Sequence, residues 1–313
     1  MNRNAGLDVL RAVAIFMVLG QHAAWGDGLI GALWTHGGWA GVDLFFVLSG
    51  FLVSGLLFND NRWGRFLIRR GWKIYPPFWA FLAVTLMVYD CPAVNVASEL
   101  TFTQNYFPPI WLHTWSLAVE EHFYLMLPAV LLVTRRWDHK PLPWLVVAVV
   151  GACTLGRALS GFSPFDEHTG HWTHLRIDSL FVGMLARYWW LGHKDQCAAQ
   201  AGRLALYGGV VAASPFLVNM GTWYGVVILA AGNAALVLGV VSLDVRGTAA
   251  DALAFIGRHS YSIYLWHTAV GLWLVQPLGW AFTGYAAASL LVGIIMAWLV
   301  EVPTLALRDR FAR

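Results

Sequence analysis

The chain has 313 residues, of which 58% are hydrophobic and only 12% charged, and its mean hydropathy is +0.60. Soluble domains carry about twice that charged fraction, so an ordinary cytosolic enzyme is excluded, as are a disordered chain, a collagen and a disulfide scaffold. The net charge of +3 is too small to suggest a nucleic-acid partner, and Cys91, Cys153 and Cys197 lie far apart without a CxxC pair, as small apolar packers do.

A hydrocarbon core takes about 20 residues of apolar helix. Ten stretches qualify: roughly 7–25, 39–58, 74–91, 116–134, 144–160, 175–191, 203–219, 222–242, 253–275 and 284–301. They predict an all-α polytopic membrane protein of about ten transmembrane helices. The first stretch is not a cleaved signal peptide, because it is too long, carries Asp8 and Arg11, and lacks a small-residue cleavage site.

The connections alternate in charge. Arg62, Arg65, Arg69, Arg70 and Lys73 follow the second stretch, and Arg135, Arg136 and Lys140 follow the fourth. Further basic groups are Arg187, Lys194 and Arg203, then Arg246 and Arg258, then Arg308, Arg310 and Arg313. The loops between them, around 26–38, 92–114, 161–174, 219–223 and 276–283, contain no Lys or Arg. The positive-inside rule then puts both termini in the cytoplasm. No linker or internal repeat divides the chain, so residues 1–313 read as a single transmembrane domain without an extramembrane C-terminal domain. The chemistry is expected inside the bundle or at its mouths.

Ionisable residues inside a membrane helix cost about 2.5–3.5 kcal/mol each on insertion scales and usually face a cavity. Arg11 and His22 share the first stretch, eleven residues apart, nearly on one face and roughly 16 Å apart along the axis. Asp43 lies in the second. Glu120, Glu121 and His122 are adjacent in the fourth; successive side chains diverge by about 100°, so at least one is expected at the interface. Arg176 and Asp178 open the sixth and are expected to pair locally. Glu301, near the end of the tenth, reads as a solvated carboxylate, and His267 ends a Tyr-rich stretch in the ninth. An H-x4-D spacing, His22 to Asp27, arises easily by chance. His168, His171 and His174 lack a Cys to complete a metal set, and no metal is expected.

In order, these motifs resemble the acyltransferase-3 family of integral-membrane O-acyltransferases. The first stretch supplies Arg11-x10-His22, and the second supplies Gly41-Val42-Asp43-Leu44-Phe45-Phe46-Val47-Leu48-Ser49-Gly50. Phe66-Leu67-Ile68-Arg69-Arg70 and Lys73-Ile74-Tyr75-Pro76 follow. Trp115-Ser116-Leu117-Ala118-Val119-Glu120 opens the fourth stretch, and Ser260-Tyr261-Ser262-Ile263-Tyr264-Leu265-Trp266-His267 lies in the ninth. One departure is Arg70-x-x-Lys73 where the family usually has Arg-x-x-Arg; Lys keeps the charge but loses the bidentate fork.

The resemblance implies an O-acetyltransferase of the plasma membrane, a bacterial inner membrane. It would move an acyl group, most often acetyl, from cytoplasmic acyl-coenzyme A to a hydroxyl of a glycan or glycolipid. Arg11, Arg69, Arg70 and Lys73 would hold the donor phosphates, and the extended pantetheine arm would reach from them toward His22. His22 is the expected general base, or else the carrier of a covalent acyl group. Asp43 or Glu120 would support it, and Trp115, Ser116, Tyr264 and His267 would line the acceptor side. The competing reading is a secondary transporter in which Asp8, Arg11, His22, Asp43 and Glu120 form an ion path. Transporters commonly carry internal repeats, and none is visible here.

Overall fold

The computed structural model describes residues 4–23, 33–34, 36–59, 62–278 and 282–311. Every regular element among them is helical. The helices used below are α1 (Ala5–His22), α2 (Ala40–Asn59), α3 (Trp63–Val88), α4 (Ala93–Leu100), α5 (Trp115–Arg135), α6 (Leu142–Ser160), α7 (Asp178–Gly192), α8 (Ala201–Ala213), α9 (Gly225–Val241), α10 (Thr248–Arg258), α11 (Ser260–Val270), α12 (Phe282–Met296) and α13 (Val302–Phe311). Among the described residues five segments are long and apolar enough to cross a membrane: Ala5–His22, Ala40–Phe58, Leu112–Arg135, Leu142–Ser160 and Phe282–Arg310. The protein is a multi-pass membrane protein.

Local chemistry explains several boundaries. Asn4 caps α1, accepting the Leu7 N–H at 3.1 Å, and its amide donates to the Val241 carbonyl at 3.1 Å. The α2–α7 contact rests on missing side chains. A Cβ on Gly50 would meet the Leu180 carbonyl at 2.0 Å, and one on Gly183 would meet that of Val47 at 2.2 Å. Small residues of this kind let membrane helices approach backbone to backbone. Gly257 does the same for α10 against Asp8 of α1.

Two expectations about boundaries are corrected. The basic stretch after α2 is not a loop. It forms the first turns of α3, which begins at Trp63 rather than near residue 74. Arg, Leu, Ile and Lys are good helix formers, and the helix runs on through Pro76 and Pro77. The ninth stretch is not one helix either. It breaks at His259 between α10 and α11, then passes through a π-helical turn at Gly271–Val275. A second π turn, Ala297–Glu301, joins α12 to α13. Such turns displace side chains from the regular helical face and recur at functional sites.

Candidate active site

Three cavities among the described residues share lining side chains from one to the next. The first is a cation-lined mouth. Residues 65, 69 and 73 recur every fourth position on α3, which places them along one face. With Arg11, Arg62, Arg70 and Arg308 they line this opening. Arg69 lies 3.2 Å from Asp309, Lys73 lies 3.6 Å from Glu301, and Arg11 donates to Asp8 at 2.9 Å. Seven of the nine residues lining this opening are Arg or Lys.

Arg11, Arg70 and Lys73 also line the second, middle cavity. Its far wall carries Ser49, Ser116, Glu120, Tyr124 and Tyr264. Glu120 accepts from Ser49 Oγ and from Tyr124 Oη, both at 2.7 Å, and the Arg70 guanidinium lies 5.0 Å over the Tyr124 ring. The neighbours of Glu120 diverge as the helical period requires. Glu121 takes the Tyr75 hydroxyl, and His122 pairs with Thr173 at 2.7 Å. Glu121 is buried, and the other two are half-buried with partners. Glu301 is likewise buried rather than solvated. It accepts from Ser262 at 2.7 Å and faces Lys73.

The third cavity is a histidine chamber, lined by His22, His113 and His171 with Trp111, Trp115, Tyr264, Thr268 and Tyr285. His22 lies 4.9 Å from His267, ring centre to ring centre, and His113 lies 5.0 Å from His267. Their hydrogen bonds assign the tautomers, because a carbonyl only accepts. His22 Nδ1 is 3.0 Å from the Val18 carbonyl and therefore carries the proton. His267 Nδ1 is bound in the same way to the Tyr264 carbonyl at 2.5 Å, so its Nε2 accepts, 3.4 Å from His22 Nδ1. His113 donates from Nε2 to the Leu265 carbonyl at 3.2 Å and accepts at Nδ1 from the Thr268 hydroxyl at 3.0 Å. Nε2 of His22 makes none of these bonds and is left as the nitrogen that can take a proton.

Asp43 is not part of this group. It binds Arg176 at 2.8 Å and Ser179 at 3.1 Å, fully buried between α2 and α7. The expected local pair of Arg176 with Asp178 is replaced by two cross-helix pairs, because Asp178 binds Arg157 at 2.7 Å. Glu120 is committed to Ser49 and Tyr124. Among the described residues the polar side chain that meets His22 is therefore His267, and neither of the expected carboxylates does. Trp115 lines the chamber, Ser116 lines the middle cavity, and Tyr264 lines both. Asp27 lies outside the described residues.

Sequence reasoning missed three features. His113 looks like a loop residue, yet the turn Leu112–Thr114 carries it inward, two positions before the Trp115 motif. That turn is held by Glu99 of α4, whose carboxylate accepts from the N–H groups of Ile110 and Trp111 and from the Thr114 hydroxyl at 3.0–3.1 Å. Burial pushes the Glu99 carboxyl up to about 7, against these hydrogen bonds. The third feature is a ring surface beside the chamber. His171 stacks on Trp115 at 4.6 Å, and burial holds its pKa down to about 3, with Arg176 adding to the effect. Just outside, the rings of Tyr106, Trp172 and His174 lie 5.4–6.4 Å apart and within 25° of parallel. Three nearly equal spacings cannot form a column. Tyr106 Oη meets His174 Nδ1 at 2.9 Å, so the three near-parallel rings form an offset aromatic cluster.

The sequence profile of an acyltransferase domain matches residues 4–302. The peptidoglycan O-acetyltransferase OatA of Listeria monocytogenes is 26% identical over 354 residues, covering 95% of this chain and 55% of that protein. BcsY of Komagataeibacter xylinus, which carries the name of a membrane-bound transacylase, is 25% identical over 339 residues, covering 96% of this chain and 82% of its own. Proteins of Staphylococcus aureus named as O-acetyltransferases are 27% identical over 85% of this chain and 50% of their own length. The chain thus spans about half the length of the first curated relatives it matches. No solved structure matches it. With the match running from the cap of α1 through Val302, and with the Arg11, His22, Lys73, Glu120 and His267 motifs gathered around one series of cavities, the chain belongs to the acyltransferase-3 family.

Proposed function

We propose that the protein is an O-acetyltransferase that takes an acyl group from acyl-coenzyme A at the cation-lined mouth and delivers it to a glycan hydroxyl at the histidine chamber. The observation that carries this reading is that neighbouring cavities share lining residues. The mouth and the middle cavity share Arg11, Arg70 and Lys73, and the middle cavity and the chamber share Val42 and Tyr264. A donor with several phosphates and a narrow arm fits such a sequence of spaces. Its phosphates meet guanidinium and ammonium groups, and its thioester end passes the Glu120–Tyr124 wall. Ten spans, cytoplasmic termini and a bacterial inner membrane complete the arrangement, with the mouth facing the cytoplasm as its cations favour. Residues 1–313 act as one transmembrane domain.

In this reading Nε2 of His22 removes the proton of the acceptor hydroxyl as its oxygen attacks the thioester carbonyl. The C–O bond forms, the C–S bond breaks, and the proton returns to the departing thiolate. As the imidazole becomes cationic, Nδ1–H donates to the Val18 carbonyl and lies against the Nε2 lone pair of His267, so the charge is stabilised without a carboxylate. The same nitrogen would equally attack the thioester itself and carry the acyl group. The acceptor side has the cluster of near-parallel Tyr106, Trp172 and His174 rings, with a hydroxyl and an imidazole among them, a surface suited to stacking and hydrogen bonding with a sugar ring. Relatives named for peptidoglycan and other O-acetylation support this acceptor class.

The test uses purified protein in detergent with labelled acetyl-coenzyme A and a cell-envelope glycan preparation. Free coenzyme A and alkali-labile label on the glycan should appear together. Donor binding without release of coenzyme A would contradict the assignment.

A further inference from the structure

The middle cavity and the histidine chamber adjoin at two residues: among the described residues Val42 on α2 and Tyr264 on α11 line both spaces. They mark the place where a donor reaching from the mouth toward His22 would cross from one space to the other.

Both walls are stiff. Tyr264 Oη donates to the His113 carbonyl at 2.5 Å and accepts from Ser116 Oγ at 2.6 Å. Its ring is packed against Phe45, His113 and His267, with centres 5.5–6.4 Å away, which restrains it together with the two hydrogen bonds. Val42 is β-branched on a helix and keeps essentially one rotamer. Its backbone is pinned as well. A Cβ on the preceding Gly41 would lie 2.6 Å from the Ala14 carbonyl, so α2 is in backbone contact with α1 at this level. The Val42 methyls and the Tyr264 phenol are therefore held in place where the two cavities meet.

We propose that Val42 and Tyr264 select the donor by the width of its acyl group at the carbon next to the carbonyl, admitting straight acyl groups and excluding branched ones. The inference rests on the acyl-transfer reading above. It is a statement about cross-section, because a straight chain presents much the same width whatever its length. One misplaced methyl in a tight apolar passage changes kcat/KM by about 10–200-fold. The reaction is unchanged for every donor: the thioester C–S bond breaks, the acyl C–O bond forms on the acceptor, and the acceptor proton goes to the coenzyme A thiolate.

The informative pair is n-butyryl- and isobutyryl-coenzyme A, which have the same atoms and differ only in branching. Release of free thiol with the cell-envelope glycan as acceptor gives kcat/KM for each, with acetyl-coenzyme A alongside. The wild type should prefer n-butyryl over isobutyryl at least tenfold. Val42→Ala should bring the two within about threefold, and Val42→Leu should widen the gap. Variants are compared at matched monodispersity and donor binding, and either one alone suffices if the other fails to fold. A wild type that uses both four-carbon donors equally overturns the proposal, as does a preference that neither variant changes. Use of acetyl but neither four-carbon donor, in the wild type and in Val42→Ala alike, also overturns it. Failure of the wild type to cleave any donor, acetyl included, would instead strike the acyl-transfer reading.

Discussion

The mouth and the chamber are the two ends of one path, built on opposite principles. At the mouth the charges are permanent, partly exposed and carried on long side chains; Arg69 is 41% exposed and Lys73 is 32%. In the chamber the polar groups are short and buried or half-buried, and His22, His113 and His267 are each fixed by a backbone carbonyl. The mouth suits capture, because several adaptable cations tolerate a mobile polyanion. The chamber suits chemistry, because a base has to be held in one tautomer at one distance. The contrast teaches that losses at the mouth should fall mainly on donor affinity, and losses in the chamber on turnover.

The largest effect is expected at His22. His22→Gln keeps approximate size and hydrogen bonding but cannot take the proton, so kcat should fall by about 10²–10⁴-fold while donor binding persists. Substantial turnover by this variant would make His22 a packing residue. Asp43→Ala tests a different property. It leaves Arg176 buried without its partner, a change that typically costs about 3–5 kcal/mol. Thermal unfolding in detergent should show this as a large loss of stability, whereas a folded but inactive variant would return Asp43 to the chemistry.

Removing three cations together should weaken donor binding. In the Arg69→Ala, Arg70→Ala, Lys73→Ala triple variant the loss should be tenfold or more, since a charge-assisted hydrogen bond contributes roughly 1.5–3 kcal/mol. Equilibrium binding of acetyl-coenzyme A measures it, and wild-type affinity would move the donor site elsewhere. The smallest effect concerns pH. Glu99 has its folded pKa raised to about 7 from 4.5, so its protonated form is the one the fold favours. Its contribution is present in full below the unfolded value and is lost as pH rises through about 7. Melting curves at pH 6 and pH 8 should differ by a few degrees in the wild type and less in Glu99→Gln, which imitates the protonated acid. Identical shifts in both would remove Glu99 from the pH response.

Much of this arrangement was legible in the sequence. Hydropathy indicated a helical bundle, and the spacing of Arg11 and His22 put a cation and an imidazole on one face. The basic cluster was visible too, but not that it continues α3, because charge at a membrane edge reads as loop whether or not it is helical. What the sequence concealed was pairing across helices. Asp43 looks like a candidate alone and Arg176 and Asp178 like a local pair, and only the tertiary contacts show that Asp43 takes Arg176 and that Asp178 takes Arg157. His113 stayed hidden for the same reason, since Glu99, fourteen residues earlier, is what turns its loop inward. A partner chosen by tertiary contact leaves no periodic trace along the chain.

The central claim is that one continuous path joins the two ends. Proteoliposomes with a soluble glycan acceptor sealed inside and labelled acetyl-coenzyme A added only outside test it directly. The account predicts label on the trapped glycan, with free coenzyme A appearing outside. Label transferred only when donor and acceptor share one compartment would contradict it.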